Sequence, residues 1–249
     1  MRFIRPGNMA QAIASQLQPV ASELDPLLGG AASGVHFAGV KQLDVECNWK
    51  LAGDGNIETY HVPFVHRNTA AAVLDEKRTG QWLFPNGHSR MLIRFREAVL
   101  GALADSPIPR FAGDTSLAAL GIYSFHVFPN LSIVLGGPNS AFLISAIPDG
   151  PHRCAYYTHF LSPIPRSSEN TRLLEASIAA NWTVLLEDLA CMSSAQKAMR
   201  SGVVDVLRLQ YQERRIRYVH EEIDRRIGPE RIPPSLRTPA LLDDYVEAR

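Results

Sequence analysis

The sequence predicts an α+β domain in which a curved antiparallel sheet carries long helices on one side. Two observations predict it. Short apolar or alternating runs succeed one another through the middle of the chain, separated by Pro, Asn and Gly, and connections this short close antiparallel hairpins rather than βαβ units. After Pro165 the apolar residues change to spacings of three, four and seven, the pattern of a helix with one buried face.

The elements follow in order. A short helix around Met9 to Leu24 leads into a connector, Gly29-Gly30-Ala31-Ala32-Ser33-Gly34. Val35 to Leu51 is strand material, with Phe37, Val40, Leu43 and Val45 among its apolar residues. A short helical segment, Asp54 to Tyr60, stops near Pro63. Strands are predicted at Met91 to Arg96, Leu120 to Phe128, Leu131 to Leu135, Ala141 to Ile147 and Arg153 to Leu161, divided by Pro129-Asn130, Gly136-Gly137-Pro138-Asn139 and Pro148-Asp149-Gly150-Pro151. The glycine pair is a hairpin turn and not a phosphate loop, because no helix follows it.

A long helix starts at Ser167 or Ser168 and buries Ile178, Trp182, Leu185, Leu189, Met192 and Met199 before ending near Gly202. A second helix runs from Val206 to Ile227 and stops at Gly228-Pro229. Its Arg214, Arg215, Arg217, Arg225 and Arg226 alternate with Glu213, Glu221 and Glu222, which reads as a solvated or subunit-facing charged helix. The chain divides into residues 1–35 (helix and connector), 36–228 (the main domain) and 229–249, a Pro-rich tail draped on the surface.

Composition excludes several function classes. Across 249 residues, 25 Lys+Arg balance 25 Asp+Glu, which argues against a nucleic-acid partner. A hydrophobic content of 46% supports one sizeable core. No run approaches the ~18 apolar residues of a membrane span. Pro6, Gly7, Asn8, Gln11 and Ser15 interrupt anything like a signal-peptide core, so a soluble cytoplasmic protein is expected. Cys47, Cys154 and Cys191 are isolated, with no C-x-x-C or C-x-H pair. That excludes a disulfide scaffold, a zinc ribbon and any iron–sulfur cluster, including a Rieske cluster, which needs two cysteines and two histidines.

The chemistry concentrates between Asp54 and His66. On a helix, Glu58 and His61 are three apart and face the same way. His61 and His66 are five apart, about 140° around a straight helix, and a break at Pro63 would let the two rings converge. Two histidines need a third ligand. Two histidines and one carboxylate with open positions suit mononuclear non-haem iron(II). On the long helix, Asp188 lies at the edge of the buried stripe, about 70° from its centre, with Asn181 on the same side and Glu187 pointing out to solvent. A carboxylate at the edge of an apolar face is costly unless paired or metal-bound. Taken alone, Asp188 is better explained by an ion pair with an arginine than as a ligand.

Three motifs occur in order: Asn48-Trp49-Lys50-Leu51, then Glu58-x-Tyr60-His61-x-Pro-x-x-His66, then Glu187-Asp188-x-x-Cys191-x-x-x-x-Gln196. Together with Phe128-Pro129-Asn130-Leu131 before a strand, they resemble the catalytic domain of the large subunit of Rieske-type ring-hydroxylating oxygenases over about residues 40–227. The resemblance implies a helix-grip fold (START/Bet v 1-like), with the sheet wrapped around a long helix and a substrate cavity. It implies Fe(II) held by His61, His66 and Asp188, and Glu58 as the bridging carboxylate that takes electrons from a neighbouring Rieske cluster. A carboxylate there also fixes the tautomer of His61. The implied activity is hydroxylation of an apolar, aromatic substrate with O₂, and the implied assembly is a homo-oligomer, a trimer in this family. Val62, Asn181, Val184 and Leu185 are candidate cavity residues by helical phase.

Two departures from the family pattern stand out. Asp54 is followed by Gly55, and the Asn comes one place later, at Asn56. The Rieske domain's C-x-H and C-x-x-H are missing, so the electrons are expected from a separate Rieske protein or subunit and a reductase. The rival readings are a helix-grip binding module with a relic metal site, a zinc hydrolase on the same residues, and a fragment of a full-length oxygenase.

Overall fold

The computed structural model describes residues 12–28, 34–101, 105, 107–111, 119–137, 139–204 and 206–247. The connector expected at Gly29 to Ser33 and the start of the N-terminal helix lie outside them. Seven strands form one antiparallel sheet: β1 (His36–Val45), β2 (Leu74–Leu83), β3 (Ser89–Phe95), β4 (Gly121–Val127), β5 (Leu131–Leu135), β6 (Ala141–Pro148) and β7 (Cys154–Ser162). Their order is β1-β7-β6-β5-β4-β3-β2, so the first strand crosses over to pair with the last and the hairpins of the middle run side by side. The short connections carry this meander, as at 136–140, where Gly136 N–H meets Ser140 O at 2.7 Å.

The five middle strands lie within a residue or two of where the sequence predicts them. β2 has no counterpart in the sequence reading. Its residues, LDEKRTGQWL, show no alternation, and its pairing with β3 slips between Asp75 and Thr79. An edge strand with a bulge does not need a strict two-residue period.

Strand alternation separates two faces. Val134, Phe142, Ile144, Tyr156 and Phe160 pack against Ile178, Leu185 and Leu189 of the long helix. Tyr123, Phe125 and Val127 point the other way. They are covered by a short helix, α1 (Val20–Leu28), through Val20 and Leu27. The sheet therefore has its long helices on one face, as predicted, and a small helix on the other.

Between β1 and β2 lie three short helices: α2 (Trp49–Asp54), α3 (Val62–Val65) and α4 (Ala70–Val73). The helix expected at Asp54 to Tyr60 has moved about one and a half turns towards the N-terminus. Asn48 is its N-cap, with its side chain accepting from Lys50 N at 3.0 Å, and an Asn at that position starts a helix where it stands.

The long helix α5 (Thr171–Arg200) has 30 residues. At 1.5 Å per residue it spans about 45 Å. Two contacts lock it against α2. Asn48 N–H donates to Gln196 Oε1 at 2.7 Å. Gly55 lies so close that a Cβ there would sit 2.6 Å from the Met192 methyl.

The last helix, α6 (Arg214–Ile227), begins later than predicted, after the 3₁₀ turn Tyr211–Glu213. It is not the solvated helix its charges suggest. Arg215, Glu221 and Glu222 are buried. The Arg215 guanidinium donates to Ser89 Oγ at 2.9 Å, to Ile57 O at 3.2 Å and to Ser124 O at 2.9 Å. Burial lowers its pKa to about 9. Five donors in a fixed fork let one arginine satisfy several carbonyls at once, so charge alternation alone cannot tell this buried arginine from a surface one. Among the described residues no helix is long and apolar enough to cross a membrane.

Candidate metal centre

His61 and His66 are the N-cap and C-cap of the single turn α3. Pro63 does not break a helix between them. It lies in the first turn, where its missing N–H costs nothing and its fixed φ suits the helix. The rings converge because His66 leaves the helix, at φ −103° and ψ 35°, so the separation of a straight helix does not apply.

His61 Nε2 and His66 Nε2 are 3.2 Å apart. Asp188 Oδ1, from α5, lies 3.3 Å from the first and 2.9 Å from the second. The three offer one ligand atom each, all within 4.8 Å of one another. His66 is the most enclosed, with 3% of its side chain exposed against 21% for His61 and 12% for Asp188.

Each imidazole meets a carboxylate on its other nitrogen. Glu58 Oε1 contacts His61 Nδ1, while Glu58 Oε2 accepts the backbone N–H of Tyr60 and, at 3.3 Å, that of His61. Glu58 therefore reaches His61 across a capped turn and not along a helix. Glu187 Oε2 lies 2.7 Å from His66 Nδ1 and accepts the Thr69 hydroxyl at 2.6 Å. This corrects the expectation that Glu187 points to solvent. The apolar stripe of the helix reports only its contact with the sheet, whereas His66 and Thr69 of the α3–α4 segment reach the flank of α5 and give Glu187 its partners.

The electrostatics are one-sided. Among the described residues no Lys or Arg ion-pairs with Glu58, Glu187 or Asp188. An arginine partner does not account for Asp188. Burial opposes protonation of His66, but the Asp188 and Glu187 carboxylates outweigh it and raise its pKa. Glu187 is held below its ordinary value because the Thr69 and His66 bonds outweigh its desolvation. Two imidazoles, each backed by a carboxylate, plus a third carboxylate without a cation fit a divalent metal.

The surroundings of the centre are mixed. Tyr156, from the apolar core, donates its hydroxyl to Asn56 Oδ1 at 2.9 Å. Burial raises its pKa, and so does the nearby charge of Asp188. Asn56, displaced by one place from the family position, is held by Tyr156 and through its own amide by Ala52 O at 2.9 Å. Val62 is buried beside His61, and Leu185 lies in the core. Val184 and Asn181 are half-buried on α5, and the Asn181 amide donates back to Ser177 O at 2.8 Å. Sequence reasoning missed Glu187, Thr69, Tyr156 and Arg215. The position of Glu187 directly before Asp188 was the one available signal.

Comparison with known proteins follows the same lines. A family model described as ring hydroxylating alpha subunit (catalytic domain) matches residues 34–229. No curated protein sequence matches. Among solved structures, the quaternary ammonium Rieske monooxygenase CntA in complex with an inhibitor is similar at 15% identity and TM-score 0.66, over 86% of this chain and 55% of that one. Dicamba monooxygenase bound to dicamba is similar at 13% identity and TM-score 0.53, over 82% and 61%. A naphthalene 1,2-dioxygenase mutant bound to phenanthrene is similar at 16% identity and TM-score 0.53, over 74% and 48%. The chain thus spans about half to three-fifths of the length of these proteins.

Proposed function

The chain belongs to the family of ring hydroxylating alpha subunit catalytic domains, and on that premise we propose that it is the catalytic part of a mononuclear non-haem iron oxygenase. The observation that carries the reading is the convergence of His61, His66 and Asp188, with a carboxylate behind each histidine. His61, His66 and Asp188 hold the iron. When bound, Fe(II) supplies the activation of O₂ that hydroxylates the substrate.

The protein's own residues do the rest. Glu58 accepts the outer ring proton of His61, which keeps Nε2 free as a ligand. Its own side chain is largely enclosed, but it adjoins a surface marked by the exposed aromatic residues Tyr60 and Phe64 and the partly exposed His61. That is the side on which an electron donor approaches, and Glu58 is the bridging carboxylate on that route. The charge of Asp188 reaches Tyr156, a member of the apolar cluster that holds Phe142, Ile144 and Phe160, which favours an apolar, aromatic substrate, with Val62, Asn181, Val184 and Leu185 as its candidate cavity residues. The 249 residues hold no cysteine–histidine set for a Rieske cluster, so the electrons come from a cluster outside them, carried by a Rieske protein or subunit and its reductase. Assembly is as a homo-oligomer, a trimer by resemblance. The uncompensated carboxylates and tautomer-fixing contacts favour a working centre over a relic one.

The test is direct. Purified anaerobically and given Fe(II), the chain binds about one iron per chain, as a single site of this donor set requires. With a Rieske ferredoxin, its reductase and O₂, it converts at least one of naphthalene, a chlorinated benzoate or carnitine to a hydroxylated or cleaved product seen by mass spectrometry. Failure to bind iron refutes the metal centre. Bound iron that consumes O₂ with none of these substrates transformed counts against the oxygenase.

A further inference from the structure

We propose that Glu187 is a positioning residue of the metal centre: with Thr69 it fixes the ring of His66 so that Nε2 faces the metal. The inference rests on the reading of His61, His66 and Asp188 as metal ligands and assigns a role that the ligand set itself does not contain.

The geometry carries it. One oxygen of Glu187, Oε2, receives two donors, His66 Nδ1 at 2.7 Å and Thr69 Oγ1 at 2.6 Å. An ionised carboxylate only accepts, so Glu187 holds a ring proton of His66 on Nδ1, which leaves Nε2 as the nitrogen available to a metal. Thr69 is tied to His66 independently, because its N–H donates to the His66 carbonyl at 3.1 Å. The His66 ring and backbone are thus both linked to one Thr–Glu pair. On its far edge the same ring faces Asp188 Oδ1 at 2.9 Å. Consecutive residues of α5 therefore bracket one imidazole, Glu187 on Nδ1 and Asp188 on Nε2.

The two carboxylate–histidine pairs differ in setting. Glu58 serves the half-exposed histidine and Glu187 the buried one, whose ring has 3% exposure. The His66 ring is enclosed while the Glu187 carboxylate is partly exposed, at 29%, and that carboxylate is tied to Thr69 as well as to the ring, so its task is orientation and charge. An outer carboxylate raises the basicity of the imidazole ligand and restrains its rotation, and loss of such partners weakens metal binding by about 10- to 100-fold.

The experiment is an anaerobic Co(II) titration of the full chain, followed by its visible spectrum and by the exchangeable imidazole N–H resonances shifted by the paramagnetic ion. The wild type, Glu187→Ala, Glu187→Gln and Thr69→Val are compared, with apo-protein melting as the folding control. The expected loss of affinity is about 10- to 100-fold for Glu187→Ala. It is smaller for Glu187→Gln, which still accepts the Nδ1 proton, and smallest for Thr69→Val. The resonance of His66 exchanges fast in Glu187→Ala, while that of His61 is unchanged. If the wild type binds Co(II) and Glu187→Ala binds it as tightly with both resonances intact, the positioning role is refuted. Should Glu187→Ala fail to fold, unaltered affinity and resonances in Glu187→Gln and Thr69→Val together refute it. A wild type that takes up no Co(II) or Fe(II) refutes the underlying metal reading instead.

Discussion

Arg215 donates through Nη1 to the carbonyl of Ile57, 3.2 Å away, and so ties α6 to the residue immediately before Glu58. The same guanidinium holds Ser89 and Ser124 on adjacent strands of the sheet. Arg215→Met leaves those groups buried without their donor. The expected loss is about 3 kcal/mol, since each unsatisfied buried group costs on the order of 1–3 kcal/mol and the neighbours relax in part. Urea unfolding checks it as a drop in midpoint at unchanged slope. A change below about 0.5 kcal/mol, the level of an ordinary surface substitution, would show that the bonds to Arg215 are not stabilising.

Asp188→Ala removes the one ligand supplied by α5. The affinity for Fe(II) should fall by more than about 100-fold, beyond what loss of an outer partner costs, with melting of the metal-free protein little changed. Metal analysis after gel filtration reads this. Iron retained at the wild-type level would take Asp188 out of the ligand set.

The three thiols should separate sharply in reactivity. Cys191 is exposed, whereas Cys47 and Cys154 are buried in the core. The Cys47 thiol is pushed up by its contact with Cys154 and then by burial, which suppresses its thiolate. A thiol reagent under native conditions is expected to modify about one cysteine per chain rapidly, and all of them only after unfolding. Fast labelling of Cys47 in the peptide map contradicts the packing described.

His220 gives the fold a pH dependence of its own. Its Nε2 faces Asp54 Oδ2 at 3.1 Å. Burial opposes its protonation and Lys50 does too, but Asp54 outweighs them with help from Asp224, and the pKa is raised. A raised folded-state value means that the pair stabilises fully below the ordinary histidine value of 6.5 and less as pH rises through the folded one. His220→Gln should therefore destabilise at pH 6 by more than at pH 8.5, by under about 1 kcal/mol for so partly exposed a pair. Equal losses at both pH values would mean that the ion pair contributes nothing.

What the sequence makes legible depends on whether a signal is local. Leu131–Leu135 is a short apolar run bounded by turn residues, Ile178, Leu185 and Leu189 recur at helical spacing, and their elements appear where expected. β2 lies at an edge and is bulged, so no period marks it. His61, His66 and Asp188 are readable as a group because their spacings match a family motif, although the backbone brings the rings together by the exit of the chain at His66 and not by a break at Pro63. Glu187 and Arg215 were misread for a shared cause. Their partners, Thr69 in one case and Ile57 and Ser124 in the other, are more than 90 residues away in sequence. No helical wheel contains them.

Glu187 and Asp188 are neighbours on α5, and nine residues earlier Ile178 packs by Gly39 of β1. The helix thus works as a counting device between the sheet and the metal centre. One residue inserted between Ile178 and Glu187 rotates the two ends by about 100° relative to each other. Either the apolar stripe stays on the sheet and both carboxylates swing off His66 together, or the carboxylates stay and the stripe turns to water. Side chains on the outward face of this stretch are free to vary, but its length is not, and a compensating deletion of one residue within the same stretch restores both ends.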